Sequence, residues 1–129
     1  MTAISPANGP VAVTGASGFI GSWMVKDLMA QGYAVRACVR ETANPKKVDH
    51  LRALSEQMLR GSIELFEADL LKPGSYDRAF EGCSAVFHTG AAIGFNNETP
   101  QEVYDGCFTQ NAHIVESVKK SGSVKRLVF

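Results

Sequence analysis

The sequence predicts an α/β domain built on a doubly wound parallel sheet. Three observations point there. Short apolar runs rich in β-branched residues recur along the chain, and stretches of helical period separate them. The first run passes directly into three glycines at spacing three, Gly15, Gly18 and Gly21. Strands that alternate with helices form a parallel sheet covered on both faces by right-handed crossovers, here in the expected order 3-2-1-4-5.

Residues 1–9 are expected to form a flexible N-terminus, and the domain to run over residues 10–129. PVAVTG (10–15) is continuously apolar, as a strand buried on both faces requires. From Gly18 the period changes: Ile20, Met24 and Leu28 recur every fourth residue, giving a helix that stops near Gly32. YAVRACVR (33–40) alternates and predicts the second strand. PKKVDHLRALSEQML (45–59) puts Val48, Leu51, Leu54 and Met58 on one helical face. IELFEADL (63–70) is the third strand, and PGSYDRAF (73–80) a short helix with proline in its first turn. SAVFHTGAA (84–92) is a fourth strand running into small residues. The long helix spans 100–122, with Tyr104, Phe108, Ala112, Val115 and Val118 expected to face inward. VKRLVF (124–129) opens a fifth strand. A bare apolar edge is one that natural domains usually cover, so the expectation is a sheet truncated after this strand.

Composition narrows the function. Hydrophobic residues make up 45% and charged residues 20%, which fits a soluble globular protein rather than a disordered tail. Lys plus Arg and Asp plus Glu balance at 13 each, so neither a nucleic-acid footprint nor a polybasic membrane patch is expected, and any anion site must be local. The three cysteines lack C-x-x-C spacing, which predicts reduced thiols. No apolar run approaches the roughly 18 residues of a membrane helix, and the start lacks a signal-peptide pattern. The expected location is cytoplasmic. No spacing of His50 or His113 suggests a metal.

The glycines carry the chemistry. At a strand-to-helix junction, Gly15 turns the chain off the strand, Gly18 lets a pyrophosphate approach the backbone, and Gly21 lets the helix lie close to the sheet. Free amides of the first helical turn, with the positive end of the helix dipole, favour an anion. A glycine-rich turn that binds nothing is the competing expectation; a nucleoside-triphosphate loop is disfavoured because no Gly-Lys-Ser/Thr follows. At the end of the second strand, where a ribose 2′-hydroxyl would call for an acid, the chain has Arg40, followed by Lys46 and Lys47. A 2′-phosphate adds about two negative charges, and a guanidinium fork suits it. NADP(H) is therefore expected over NAD(H), against the bland alternative of solvated surface charges. Glu41 is expected to point to the strand's opposite side. Asp69 and Leu70 end the third strand beside the adenine, with a helix-capping aspartate as the alternative. His88 is expected to be a packed structural histidine.

Together, the glycine loop, the Arg40/Lys47 pair, LFEADL, GCSAVFHTGA and SVKRLVF resemble the amino-terminal part of the extended short-chain dehydrogenase/reductases, a Rossmann-like family. Within it the chain is similar to the dihydroflavonol 4-reductase and cinnamoyl-CoA reductase group of NADPH-dependent carbonyl reductases. The resemblance implies that Gly15, Ala16, Ser17, Gly18, Phe19 and Ile20 line the pyrophosphate. It also implies that Arg40 and Lys47 hold the 2′-phosphate, Asp69 and Leu70 the adenine, and Thr89, Gly90 and Ala91 the nicotinamide-side ribose. Two segments depart from the family: Thr109, Gln110 and Asn111 stand where it carries Asn-Gly-Thr, and the residues after His88 differ from Ala-Ser-Pro.

The family's hydride transfer uses a Ser, and a Tyr with a Lys four residues later. Four residues after Tyr33, Tyr76 and Tyr104 stand Ala37, Phe80 and Phe108, so no catalytic residue is assigned here. The expectation is the NADP(H)-binding portion of a reductase that acts on a small-molecule carbonyl substrate, with the catalytic half beyond Phe129 and no turnover by these residues alone. A portion of a sugar-nucleotide epimerase or hydroxysteroid dehydrogenase, and a non-enzymatic dinucleotide-binding module, are the alternatives.

Overall fold

A computed structural model of the chain describes residues 3–91 and 98–129. Five parallel strands, β1 (Val11–Thr14), β2 (Ala34–Val39), β3 (Ser62–Glu67), β4 (Ala85–His88) and β5 (Arg126–Val128), form one sheet. Their order is β3-β2-β1-β4-β5, as the alternation of elements predicts. β1 lies at the centre, with Val11 opposite Val35 on one side and Ala85 on the other. All four of its residues are buried, which is why this run is apolar without alternation.

Among the described residues, four α-helices cover the sheet: α1 (Phe19–Ala30), α2 (Pro45–Arg52), α3 (Asp77–Phe80) and α4 (Pro100–Ser121). Successive strand residues point to opposite faces, and the core divides accordingly. Val11 and Val13 pack with Val25, Leu28, Met29, Val48 and Leu51 under α1 and α2. Ala12, Cys38 and Val86 pack with Tyr76, Phe80, Cys83 and Ile114 under α3 and α4.

Local chemistry sets the helix starts. Asn44 caps α2 by accepting from the Lys46 N–H, with Pro45 in the first turn. Thr99 and Glu102 cap α4 reciprocally. Pro6–Asn8 forms a 3-10 turn, and the Tyr33 hydroxyl donates to the Ile4 carbonyl at 2.9 Å, beside the start of β2.

Several expected faces are rotated or shortened. In α1 the inward residues are Gly21, Val25, Leu28 and Met29, whereas Ile20 is exposed. The 45–59 segment is helical only to Arg52 and continues as a 3-10 turn, Ala53–Glu56, which leaves Met58 fully exposed. β3 ends at Glu67, and the 73–80 segment is turn over 73–76 and helix only from Asp77. Ala92, the last residue of the expected 84–92 segment, lies outside the described residues. In α4 the buried residues are Gln110, Ile114 and Ser117, while Tyr104 and Phe108 are exposed. Ser117 turns inward because its hydroxyl donates to Asp77 Oδ1 at 2.7 Å, and Lys120 pairs with Oδ2 of the same carboxylate at 2.8 Å.

Candidate dinucleotide site

The turn between β1 and α1 needs two of its glycines for internal reasons. Gly15 has φ +62°, and a Cβ there would stand 2.6 Å from Gly90 Cα. At Gly21 a Cβ would come within 2.1 Å of the Gly15 carbonyl oxygen. The first glycine makes the turn and meets the end of β4; the second lets α1 sit on the turn. Gly18 differs. Its φ of −76° suits any residue, and a Cβ would meet only the Gly15 oxygen at 3.4 Å, an ordinary contact. The protein leaves the space over Gly18 open. Among the described residues no side chain caps the first turn of α1, so its orphan amides keep their capacity for an anion.

Other turn residues have different surroundings. Ala16 has no exposed surface, and its N–H donates to the Cys38 carbonyl at 3.2 Å, which ties the turn to β2. Phe19 and Ile20 lie on the outer side of α1, 84% and 66% exposed.

A cleft of ≈ 320 Å³ opens where β1, β2, β3 and β4 end, the end at which open α/β sheets bind ligands. It brings together Gly15 and Ser17 from the turn, Arg40 and Lys47 from the β2–α2 side, Asp69 and Leu70 after β3, and Gly90 and Ala91 after β4. The other expected residues, Ala16, Gly18, Phe19, Ile20, Gly21, Lys46 and Thr89, are outside its lining. Neither Arg40 nor Lys47 is paired with a carboxylate among the described residues. Glu41 lines the cleft instead of facing away, with Oε2 accepting from Asn44 Nδ2 at 3.3 Å. The reason is that β2 ends at Val39, so strand alternation no longer governs residues 40 and 41.

Asp69 and Leu70 stand in the turn after β3. Asp69 Oδ1 accepts from the Leu71 N–H at 2.9 Å, while its own N–H donates to Ser75 Oγ at 2.8 Å. This is a local Asx turn rather than a helix cap. His113 of α4 fixes the same turn through Nδ1, 2.7 Å from the Leu70 carbonyl.

The end of β4 is held by a polar chain whose Thr14 and His88 are buried. The Gly90 N–H donates to Thr14 Oγ1 at 3.3 Å, and Thr14 Oγ1 stands 2.6 Å from His88 Nδ1. His88 Nε2 lies 3.2 Å from Asn111 Oδ1. These partners assign the tautomer: Thr14 donates to Nδ1, and Nε2–H donates to Asn111. Burial lowers the His88 pKa and the Asn111 bond opposes it, so the ring is neutral. Thr89 Oγ1 donates to the Thr14 carbonyl at 2.6 Å, which turns that hydroxyl toward β1. His88 is thus a packed residue, 8% exposed. Asn111 and His113 were missed by sequence reasoning. For Asn111 the only signal was its departure from the family's usual run. Among the described residues, no three His, Cys, Asp or Glu side chains cluster as metal ligands, and no helix is long and apolar enough to cross a membrane.

The sequence pattern of the NAD dependent epimerase/dehydratase family matches residues 11–129. The chain belongs to that family. Among curated members, it is 43% identical over 120 residues to the bifunctional dihydroflavonol 4-reductase/flavanone 4-reductase of Malus domestica, covering 92% of this chain and 34% of that protein. It is equally similar, 43% over 120 residues, to the cinnamoyl-CoA reductase CAD2 of Medicago truncatula, covering 92% and 36%. The chain therefore spans about a third of the length of these relatives. Among solved structures, it superposes on the yeast methylglyoxal/isovaleraldehyde reductase complexed with NADPH. The TM-score there is 0.71 and the identity 25%, over 92% of this chain and 35% of that one.

Proposed function

We propose that this chain is the NADP(H)-binding portion of an NADPH-dependent carbonyl oxidoreductase of the dihydroflavonol 4-reductase/cinnamoyl-CoA reductase type. Its substrate would be a small ketone or aldehyde. One observation carries the reading: a single cleft joins the glycine turn to two cations, Arg40 and Lys47, that no carboxylate pairs among the described residues. The residues fit the cofactor. The open space over Gly18 suits a pyrophosphate, which the uncapped amides of α1 would bind. Arg40 and Lys47 would hold the 2′-phosphate, with a guanidinium fork matching two phosphate oxygens. Lys46 would add charge at longer range. Asp69 and Leu70 would hold the adenine, and Thr89, Gly90 and Ala91 the nicotinamide-side ribose.

When bound, the dihydronicotinamide supplies a hydride to a carbonyl carbon. These residues bind and orient the dinucleotide. The Thr14–His88–Asn111 chain fixes Gly90 beside Gly15, and these two glycines would form the floor under the cofactor. Because no Tyr-x-x-x-Lys occurs among the 129 residues, we expect them alone to reduce no aldehyde or ketone. The named relatives of the same kind support the reductase reading, and three free cysteines support a cytoplasmic location.

The test is a competition experiment. NADPH fluorescence on the purified chain should be displaced by adenosine 2′,5′-bisphosphate well before ADP. Equal displacement by the two would refute the 2′-phosphate assignment.

A further inference from the structure

Tyr76 is a cleft residue that the expected binding set omits. It stands in the turn before α3, and only 3% of it is exposed. Its ring packs on Phe80 at 5.4 Å between centroids, and it lines the cleft beside Cys38, Ala68, Asp69 and Leu70. Its hydroxyl has no hydrogen-bond partner among the described residues. The hydroxyl thus belongs to a cleft-lining side chain that is otherwise buried.

Buried tyrosine hydroxyls ordinarily find a partner. This one keeps its proton: burial above all, then the nearby Cys38 and Asp69, push its pKa up. It is thus a fixed, neutral donor at the end of the cleft where Asp69 offers only acceptors. An adenine base presents a complementary edge, an exocyclic amine that donates and ring nitrogens that accept.

We propose that the Tyr76 hydroxyl donates a hydrogen bond to a ring nitrogen of the bound adenine, making Tyr76 a base-reading residue of the site. The proposal rests on the nucleotide reading of the cleft, but not on the 2′-phosphate preference.

The test uses Tyr76→Phe, which removes one oxygen and keeps the ring on Phe80. Calorimetry on wild type and variant with both adenosine 2′,5′-bisphosphate and ADP should show about a 2- to 10-fold loss of affinity for each ligand, the value of one hydrogen bond. The ligand-free variant should melt no lower than wild type, because no hydrogen bond among the described residues is lost; a merely structural hydroxyl would lower the melting temperature. The 1-, 3- and 7-deaza analogues of the bisphosphate locate the acceptor, since the one lacking it should bind both proteins alike. Affinities within twofold between wild type and variant, or a loss that persists with all three analogues, would overturn the proposal. If wild type binds the two natural ligands equally, the NADP(H) preference fails while Tyr76 is still judged on ADP. If wild type binds neither, both fall.

Discussion

Alanine at Gly18 and at Gly21 should have opposite consequences, although the two glycines stand three residues apart in one turn. At Gly21 the new Cβ would lie 2.1 Å from the Gly15 oxygen and 2.9 Å from Ala16 Cα, both backbone atoms. Neither can rotate aside, so α1 must lift from the turn. Overpacking of this kind costs about 1–3 kcal/mol, or about 4–12 °C in melting temperature for a domain of this size. At Gly18 the backbone is already in a conformation open to alanine, and the Cβ makes one ordinary contact at 3.4 Å. The lowered entropy of the unfolded chain and the weaker N-cap are each worth up to about 1 kcal/mol and oppose one another, so the melting temperature should hold within about 3 °C. The methyl then sits where the pyrophosphate approaches, and the complex alone bears the crowding. A cost of about 1–3 kcal/mol there corresponds to roughly 5- to 150-fold in Kd for NADP+. Thermal melts and calorimetry on both variants separate the two effects. A Gly18→Ala chain that melts and binds NADP+ like wild type would refute the claim that this space belongs to a ligand.

Arg40→Asp should weaken NADP+ by about 10- to 150-fold, the range for a charge-assisted hydrogen bond, and leave NAD+ nearly unchanged; equal losses would remove the guanidinium from the 2′-phosphate. Lys47→Ala should weaken NADP+ more than Lys46→Ala, because Lys47 lines the cleft and Lys46 does not; the reverse order in the same titration would contradict the geometry. Burial holds the His88 pKa below the ordinary value of about 6.5. The unfolded chain thus takes up this proton first, so stability is fully present above about pH 6.5 and falls as pH drops toward the folded value. Urea melts between pH 7.5 and 5 should show that loss, reduced in His88→Gln, and an identical acid slope in the two proteins would contradict the neutral, buried ring.

The sheet order was legible because β1 is buried on both faces and reads as an unbroken apolar run, and the glycines mark where it ends. The cations were legible because charge at the end of β2 has few structural uses. Helix faces were less so. Apolar residues on α4 occupy two sides of the helix, and periodicity chose Tyr104 and Phe108. Packing chose Ile114, with Ser117 brought in by its bond to Asp77 across to α3, a contact no local pattern announces. Glu41 was misplaced because the strand ends two residues before it. Asn111 and His113 escaped because their work is to accept or donate one hydrogen bond to a residue far away in sequence, at His88 and Leu70. Tyr76 escaped for a different reason: its ring packs on Phe80 as a core residue does, and only the cleft shows that it also lines the site.

The most direct measurement is calorimetry on the folded 129-residue chain with NADP+ and NAD+ in parallel. A dinucleotide site that recognises the 2′-phosphate predicts saturable heat with NADP+ and an affinity at least tenfold weaker for NAD+. Heat of equal affinity for both, or none with either, would contradict it.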